Sequence, residues 1–320
     1  MEYAKLGKTD ITVSKLCVGC MSFGKPSEDF HLWTLEKDDT EKMVKKALDL
    51  GFNFFDTANS YSHGTSEEYL GAAIKKLAKR EEVVIATKVY FNEGKLSKEA
   101  IAREIDGSLS RLGTDYVDLY IIHRFDYDTP VEETMEALDK LVKSGKVRAI
   151  GASAMYGYQF HNMQIAAEKH GWTKFSSMQN HYNLLYREDE RELIPICKEM
   201  GVALTPYSPL AAGRVTRTEW LSDSKRSLTD KVSKAKYDST QEHDRLITER
   251  VKELADGYGV KMSQIALAWL WKKGVTAPVI GATKESYFDD AAGAFNVKLT
   301  AEDVNYLDEL YVPHKIMGAK

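Results

Sequence analysis

The chain is poor in cysteine, in proline and in long apolar runs, and each shortage excludes something. Three cysteines among 320 residues, Cys17, Cys20 and Cys197, cannot build a disulfide framework, so a reducing, cytoplasmic setting is expected. Cys17 and Cys20 have C-x-x-C spacing. No helical pattern follows Cys20 to acidify its thiol, and no second Cys or His pair completes a zinc site; packing is expected, and no metal. With seven prolines and no low-complexity tract, disorder is not expected. No apolar stretch approaches the roughly 20 residues of a membrane helix, and the polar start Met1–Lys5 does not read as a signal peptide. The net charge of −4 offers no basic footprint for nucleic acid or an anionic membrane. G-x-G-x-x-G after the first strand, expected of a dinucleotide-binding open sheet, is also missing.

What is there is a repeating rhythm. The chain is 43% hydrophobic, enough for a large core. Short apolar segments at 16–18, 52–56, 83–88, 117–122, 147–151, 176–179, 202–205 and 277–280 read as buried strands, each followed sooner or later by a helical pattern. Eight such units predict a (β/α)8 TIM barrel of α/β class, one domain over 1–320, rather than two domains or an open sheet. A hairpin over 3–13 precedes it and extra C-terminal helices follow. The helices are expected at 39–50 (with Asp39 as N-cap), 66–77, 97–112 (capped by Ser97), 130–143, 158–170, 189–200, 246–258, 262–272, 285–293 and 301–310. The charged stretch 207–245 is expected to be a long loop over the carboxyl face, where such loops cover ligands.

In a barrel, residues ending different strands converge on one mouth. That brings together Asp56, Lys88 and His123, with Tyr61 reaching in from the loop after Asp56. A free tyrosine titrates near 10. A neighbouring lysine ammonium favours tyrosinate and should draw that value down, and Asp56 can hold the lysine charged. His123 can donate a hydrogen bond to a substrate oxygen as charge develops there. The group suits protonation of a carbonyl oxygen while hydride reaches the carbon. Each residue alone is more often structural; four at one mouth favour chemistry.

The segments Phe52-Asn-Phe-Phe-Asp-Thr-Ala58, Ser66-Glu-Glu-Tyr-Leu-Gly71, Ala86-Thr-Lys88, Leu119-Tyr-Ile-Ile-His123, Gly151-Ala-Ser153, Gln179-Asn-His-Tyr-Asn183 and Pro206-Tyr-Ser-Pro-Leu210, in this order, resemble the aldo-keto reductases. Cys20-Met21, Thr57–Tyr61 and His123-Arg124 are most similar to a bacterial subgroup of general aldo-keto reductases. The resemblance implies NADPH-dependent reduction of an aldehyde or ketone, with Tyr61 as proton donor, Lys88 and Asp56 tuning it and His123 orienting the carbonyl. It implies an extended cofactor across the mouth: Cys20, Met21 and Asp56 beside it, Ser153 and Gln179 at the carboxamide, and Tyr207 stacked on the nicotinamide. Ser208, Leu210 and Arg214 match the pyrophosphate segment. Gly281, Thr283 and Lys284 match the adenosine-phosphate site, with Tyr287 and Asp290 near adenine.

Two departures bear on the cofactor. Ala154 follows Ser153 where the family has asparagine, and Ala291 stands where an asparagine would bond adenine. NADP(H) is favoured and NAD(H) stays open. Trp33, Tyr90, Phe91 and Arg124, with Phe125, form the candidate substrate pocket; Arg124 hints at an anionic or polyhydroxylated substrate, against an ordinary salt bridge. The partner is a small-molecule carbonyl compound, and the sequence leaves the oligomeric state open. The family resemblance also allows a cofactor-binding sensor of the potassium-channel β-subunit kind. Schiff-base chemistry at Lys88 is a third reading, disfavoured because Asp56 keeps the amine charged.

Overall fold

The computed structural model describes residues 1–220 and 229–318. Tyr3–Lys5 (β1) and Thr12–Ser14 (β2) pair antiparallel, with Tyr3 opposite Ser14. Eight parallel strands follow: Cys17–Gly19 (β3), Phe54–Asp56 (β4), Val84–Val89 (β5), Val117–Ile122 (β6), Val147–Ser153 (β7), Phe175–Gln179 (β8), Ala203–Leu204 (β9) and Val279–Gly281 (β10). β3 to β9 lie side by side in chain order, and β10 returns beside β3. The ring closes between β9 and β10 through few bonds. The Leu204 carbonyl accepts from the Thr276 amide at 2.9 Å and the Ala277 amide at 3.2 Å, and the Pro206 carbonyl accepts from the Val279 amide at 2.9 Å. This is the expected (β/α)8 fold.

β5 and β6 are buried along their whole length, as strands covered on both faces must be. Leu6, Ile11 and Val13 from the hairpin cluster with Cys17, Phe54 and Val84 at the starts of β3 to β5, so the hairpin plugs the amino end of the barrel. The chemistry is left to the carboxyl end. Outside the strands, one continuous apolar cluster runs under the helices.

Most helices fall where the pattern places them, and Ser97 caps Lys98–Leu112 by accepting from the Ala100 amide. Three boundaries differ. The first helix is Lys37–Asp49 with Glu36 at its N-cap, so Asp39 is not the cap; with Asp38 it lies in the first turn, where carboxylates face the positive end of the helix. The expected 189–200 helix starts only at Leu193. Pro195 lacks an amide and suits only a first turn, so the preceding residues form a separate 3-10 turn, Glu188–Glu190. The stretch 207–245 is less irregular than expected. It contains the 3-10 segment Ala211–Thr216, a helix Lys231–Tyr237 whose cap Asp230 accepts from the Ser233 amide at 2.9 Å, and the start of the helix Gln241–Tyr258. Trp220 and Tyr237 are buried within it.

Candidate active site

β4 ends at Asp56, β5 carries Lys88 as its fifth residue and His123 directly follows β6, so parallel pairing alone sets the three side by side. Lys88 is completely buried. Its Nζ donates to Asp56 Oδ2 at 2.6 Å, to the Thr57 carbonyl at 2.7 Å and to Tyr61 Oη at 3.2 Å. The other Asp56 oxygen accepts from Gln179 Nε2 at 2.9 Å, which ties β8 to the same cluster. Tyr61 and His123 meet edge to face, ring centres 5.8 Å apart.

The loop that presents Tyr61 is strained. Ser62, His63 and Gly64 follow it with φ of 45°, 55° and 91°, three successive residues in the left-handed region. Such backbone persists only where its surroundings hold it. Here Gly24 packs so closely that a Cβ on it would stand 2.5 Å from the Ser62 Cβ.

The electrostatics follow from burial and these partners. Burial alone would depress the Lys88 pKa, but Asp56 and Tyr61 together raise it above the ordinary lysine value, so the amine is charged. A charged amine is not the nucleophile that Schiff-base chemistry needs. Burial pushes the His123 imidazole well below its ordinary range, and Lys88 and Arg124 act in the same direction, so it is neutral at pH 7. One expectation is corrected. Burial raises the Tyr61 pKa, and although Lys88 pulls it down, the net result is above the ordinary tyrosine value. Lys88 therefore does not make Tyr61 a tyrosinate at rest; the phenol keeps its proton.

Around this cluster lie polar atoms with no hydrogen-bond partner among the described residues. Ser153 Oγ, His123 Nδ1 and Tyr207 Oη are buried and unbonded. Ser153 sits opposite Gln179 in the β7–β8 register. Tyr207 stacks on His181, its bridge partner, at 5.1 Å and 7°. Ser208, Ala211, Ala212 and Gly213 all have positive φ, so the segment after Tyr207 is as strained as the turn after Tyr61. Gly281 ends β10, with Thr283 and Lys284 on the turn after it. Lys284 is exposed and has no ion-pair partner among the described residues. Tyr287 is exposed on the helix Ser286–Gly293.

Several expected cofactor residues meet other partners. Cys20 is completely buried, its carbonyl accepts from Ser66 Oγ at 2.8 Å and burial pushes its thiol well up, so its side chain is a packing group; Met21 beside it is partly exposed. Arg214 is ion-paired with Asp238 and lies over the Trp220 ring. Asp290 is paired with Lys261 at 2.6 Å. Leu210 is partly exposed at the start of the Ala211–Thr216 turn. In the pocket, Phe91 meets His123 edge on at 5.0 Å and Tyr90 at 5.1 Å. Arg124 lies over Phe91 at 5.7 Å and donates to the His123 carbonyl at 3.0 Å. Trp33 is largely buried against His31.

Sequence reasoning missed two neighbours of the mouth. Lys236 Nζ stands 4.6 Å over the Tyr207 ring. The C-terminal tail also reaches it: Met317 donates its amide to Tyr186 Oη at 2.9 Å, and a Cβ on Gly318 would stand 2.7 Å from Tyr207 Oη. Neither carried a signal. Lys236 is one charge among many in 207–245, and the tail has no hydrophobic period.

A barrel whose mouth gathers a buried lysine–aspartate pair, a tyrosine and a neutral histidine is the framework of a carbonyl-reducing oxidoreductase. The aldo/keto reductase family model matches residues 15–312, and the chain belongs to that family. A versiconal hemiacetal acetate reductase of Aspergillus parasiticus is 42% identical over 342 residues, covering 99% of this chain and 98% of that protein. A putative aryl-alcohol dehydrogenase of Schizosaccharomyces pombe is also 42% identical, covering 99% of this chain and 97% of its own length. Among solved structures, the thermostable aldo-keto reductase Tm1743, in complex with the inhibitor epalrestat, superposes with a TM-score of 0.78 at 29% identity, covering 97% of this chain and all of that one. Among the described residues no helix is long and apolar enough to cross a membrane.

Proposed function

We propose that the chain is one reductase unit that uses NADP(H) to convert an aldehyde or ketone to an alcohol, with Tyr61 as general acid. The observation that carries this reading is the contact of Tyr61 Oη with the buried Lys88 ammonium at 3.2 Å, itself anchored on Asp56 at 2.6 Å. A protonated phenol is the form an acid needs. As its proton leaves, the ammonium beside it stabilises the phenolate, so the help of Lys88 grows along the reaction coordinate. Neutral His123 offers a ring N–H to the carbonyl oxygen without competing as an acid, and Asp56 keeps Lys88 in place.

The residues present fit a nicotinamide cofactor. Ser153 Oγ and Gln179 offer the polar contacts a carboxamide needs, and Tyr207 offers an aromatic surface. When bound, the reduced nicotinamide supplies hydride to the carbonyl carbon. Lys284 is free to meet a 2′-phosphate, which favours NADP(H) over NAD(H). Two observations temper the cofactor set: Ala154 adds no amide beside Ser153, and Asp290 is already engaged by Lys261.

The test is NADPH oxidation with a panel of aldehydes and ketones, repeated with NADH. Tyr61→Phe is expected to lose roughly two to four orders of magnitude in kcat while still binding NADPH, read from nucleotide fluorescence. Full reduction by Tyr61→Phe would overturn the assignment. The sensor alternative predicts tight nucleotide binding without appreciable turnover, so the same assay separates the two.

A further inference from the structure

The mouth carries two cations that form no ion pair among the described residues. Lys88 is balanced by Asp56, and His123 and His181 are both pushed well below their ordinary range by burial, so none of these adds net charge. Arg124 and Lys236 are different. Arg124 is half-buried, touches the His123 carbonyl and the Phe91 face, and forms no ion pair among the described residues. Lys236 is partly buried on the Tyr207 ring and likewise has no ion pair there. The two are close enough to feel each other. Burial and the Arg124 charge lower the Lys236 pKa to about 8, and Asp230 offsets this only in part.

Two partly buried cations that act on each other with no ion-pair partner among the described residues are costly, because partial burial strengthens their repulsion. The chain as a whole has a net charge of −4, so the pair is a local reversal of sign rather than part of a basic surface. Its place also matters. Arg124 is covalently next to His123, and Lys236 stands on the ring proposed to receive the nicotinamide. His181 already stacks on Tyr207, so a nicotinamide settling on that ring displaces the Lys236 ammonium. An anion beside Arg124 gives that ammonium a favourable place to go.

We propose that Arg124 and Lys236 form a specificity site for a carboxylate carried by the carbonyl substrate, at the end of the molecule away from the reacting carbon. The proposal rests on the reductase reading and deepens it: Tyr61 and His123 handle the carbonyl oxygen, and the two cations handle the distal anion. Phe91, exposed beside Arg124, supplies an apolar wall for the part between.

The experiment compares 4-formylbenzoate with its methyl ester, which share one aldehyde and one ring and differ only in the distal charge. The purified full chain is expected to favour the acid in kcat/KM, mostly through KM. Arg124→Met and Lys236→Met should each cut the acid-to-ester ratio roughly tenfold to a hundredfold, the range of a charged hydrogen bond. Lys236→Arg should retain the preference, and melting curves check that each variant is folded. Calorimetric titration of the NADP+-loaded protein with 4-(hydroxymethyl)benzoate and its methyl ester should show the same preference without turnover. Reduction of the ester at least as well as the acid, or a ratio unmoved in both methionine variants, overturns the proposal while leaving the reductase reading standing. Failure to reduce either aldehyde, or any in the wider panel, sinks that reading instead.

Discussion

Replacing Asp56 with asparagine isolates the role of one charge in the site. The side chain keeps its shape, but its two contacts have conflicting needs. Lys88 Nζ and Gln179 Nε2 both donate to Asp56, at 2.6 and 2.9 Å. An asparagine has one acceptor oxygen, so either orientation sets its amide N–H2 against a donor. Lys88 is then completely buried with its charge unmatched. Removing one partner of a buried pair costs about 3–5 kcal/mol. With an unfolding entropy of about 2.1 cal/mol/K per residue, that lowers Tm by roughly 5–7 °C in a chain of this length.

The pH dependence gives the sharper test. In the native protein the folded-state pKa of Lys88 is raised, chiefly by Asp56 acting against burial. Its stabilising contribution is therefore complete below the ordinary lysine value of about 10.4 and is lost only as pH rises through the folded value. In Asp56→Asn, burial dominates and the folded-state pKa falls below that of the unfolded chain. Stability of the variant should then rise with pH through that depressed value. The gap between the two proteins is expected to be widest near pH 7 and to narrow towards pH 10, measured by urea unfolding at several pH values. A gap below about 1 kcal/mol at pH 7, or one that does not change with pH, would refute the assignment of Lys88 as a buried charge held by Asp56.

Two further perturbations follow from the same structure. Ala154 has φ of 46°, a conformation that a Cβ disfavours, so Ala154→Gly should stabilise the fold by about 0.5–1 kcal/mol, seen as a higher urea midpoint. His314 Nε2 lies 3.1 Å from Asp244 Oδ1; burial would lower its pKa, but Asp244 raises it above the ordinary histidine value. The tie is thus complete below about pH 6.5 and weakens as pH rises through the folded-state value. Proteolysis of the 312–318 tail should accelerate across that range, and in Asp244→Asn it should be fast at every pH.

The barrel was legible because each strand is a short apolar burst, and several bursts end in or run directly into a polar residue at the same end, as at Asp56, Lys88 and His123. Asp56, Lys88 and His123 could be read together for that reason: parallel strands convert sequence position directly into proximity. Tyr61 was legible through its place after Asp56, but the left-handed turn Ser62–Gly64 that aims it has no signature beyond one glycine. The net effect on its pKa could not be read either. It depends on burial outweighing Lys88, which is a property of the packed mouth. Lys236 and the tail reach the site from distant parts of the chain, and neither lies at a strand end. Pro195 did mark where its helix can begin, although the reading of 189–200 passed over it.

The closure between β9 and β10 makes the barrel a ring with a clasp. β9 is two residues long, and one carbonyl, Leu204, takes two of the bonds that join it to the returning chain. The proposed cofactor contacts lie on both sides of that clasp, Tyr207–Arg214 after β9 and Gly281–Lys284 after β10. A nucleotide held there would bridge the weakest join in the wall, so its binding energy would also resist opening of the ring. Hydrogen exchange at Thr276, Ala277 and Val279 should then slow more on loading than exchange at the deeply paired β5 and β6.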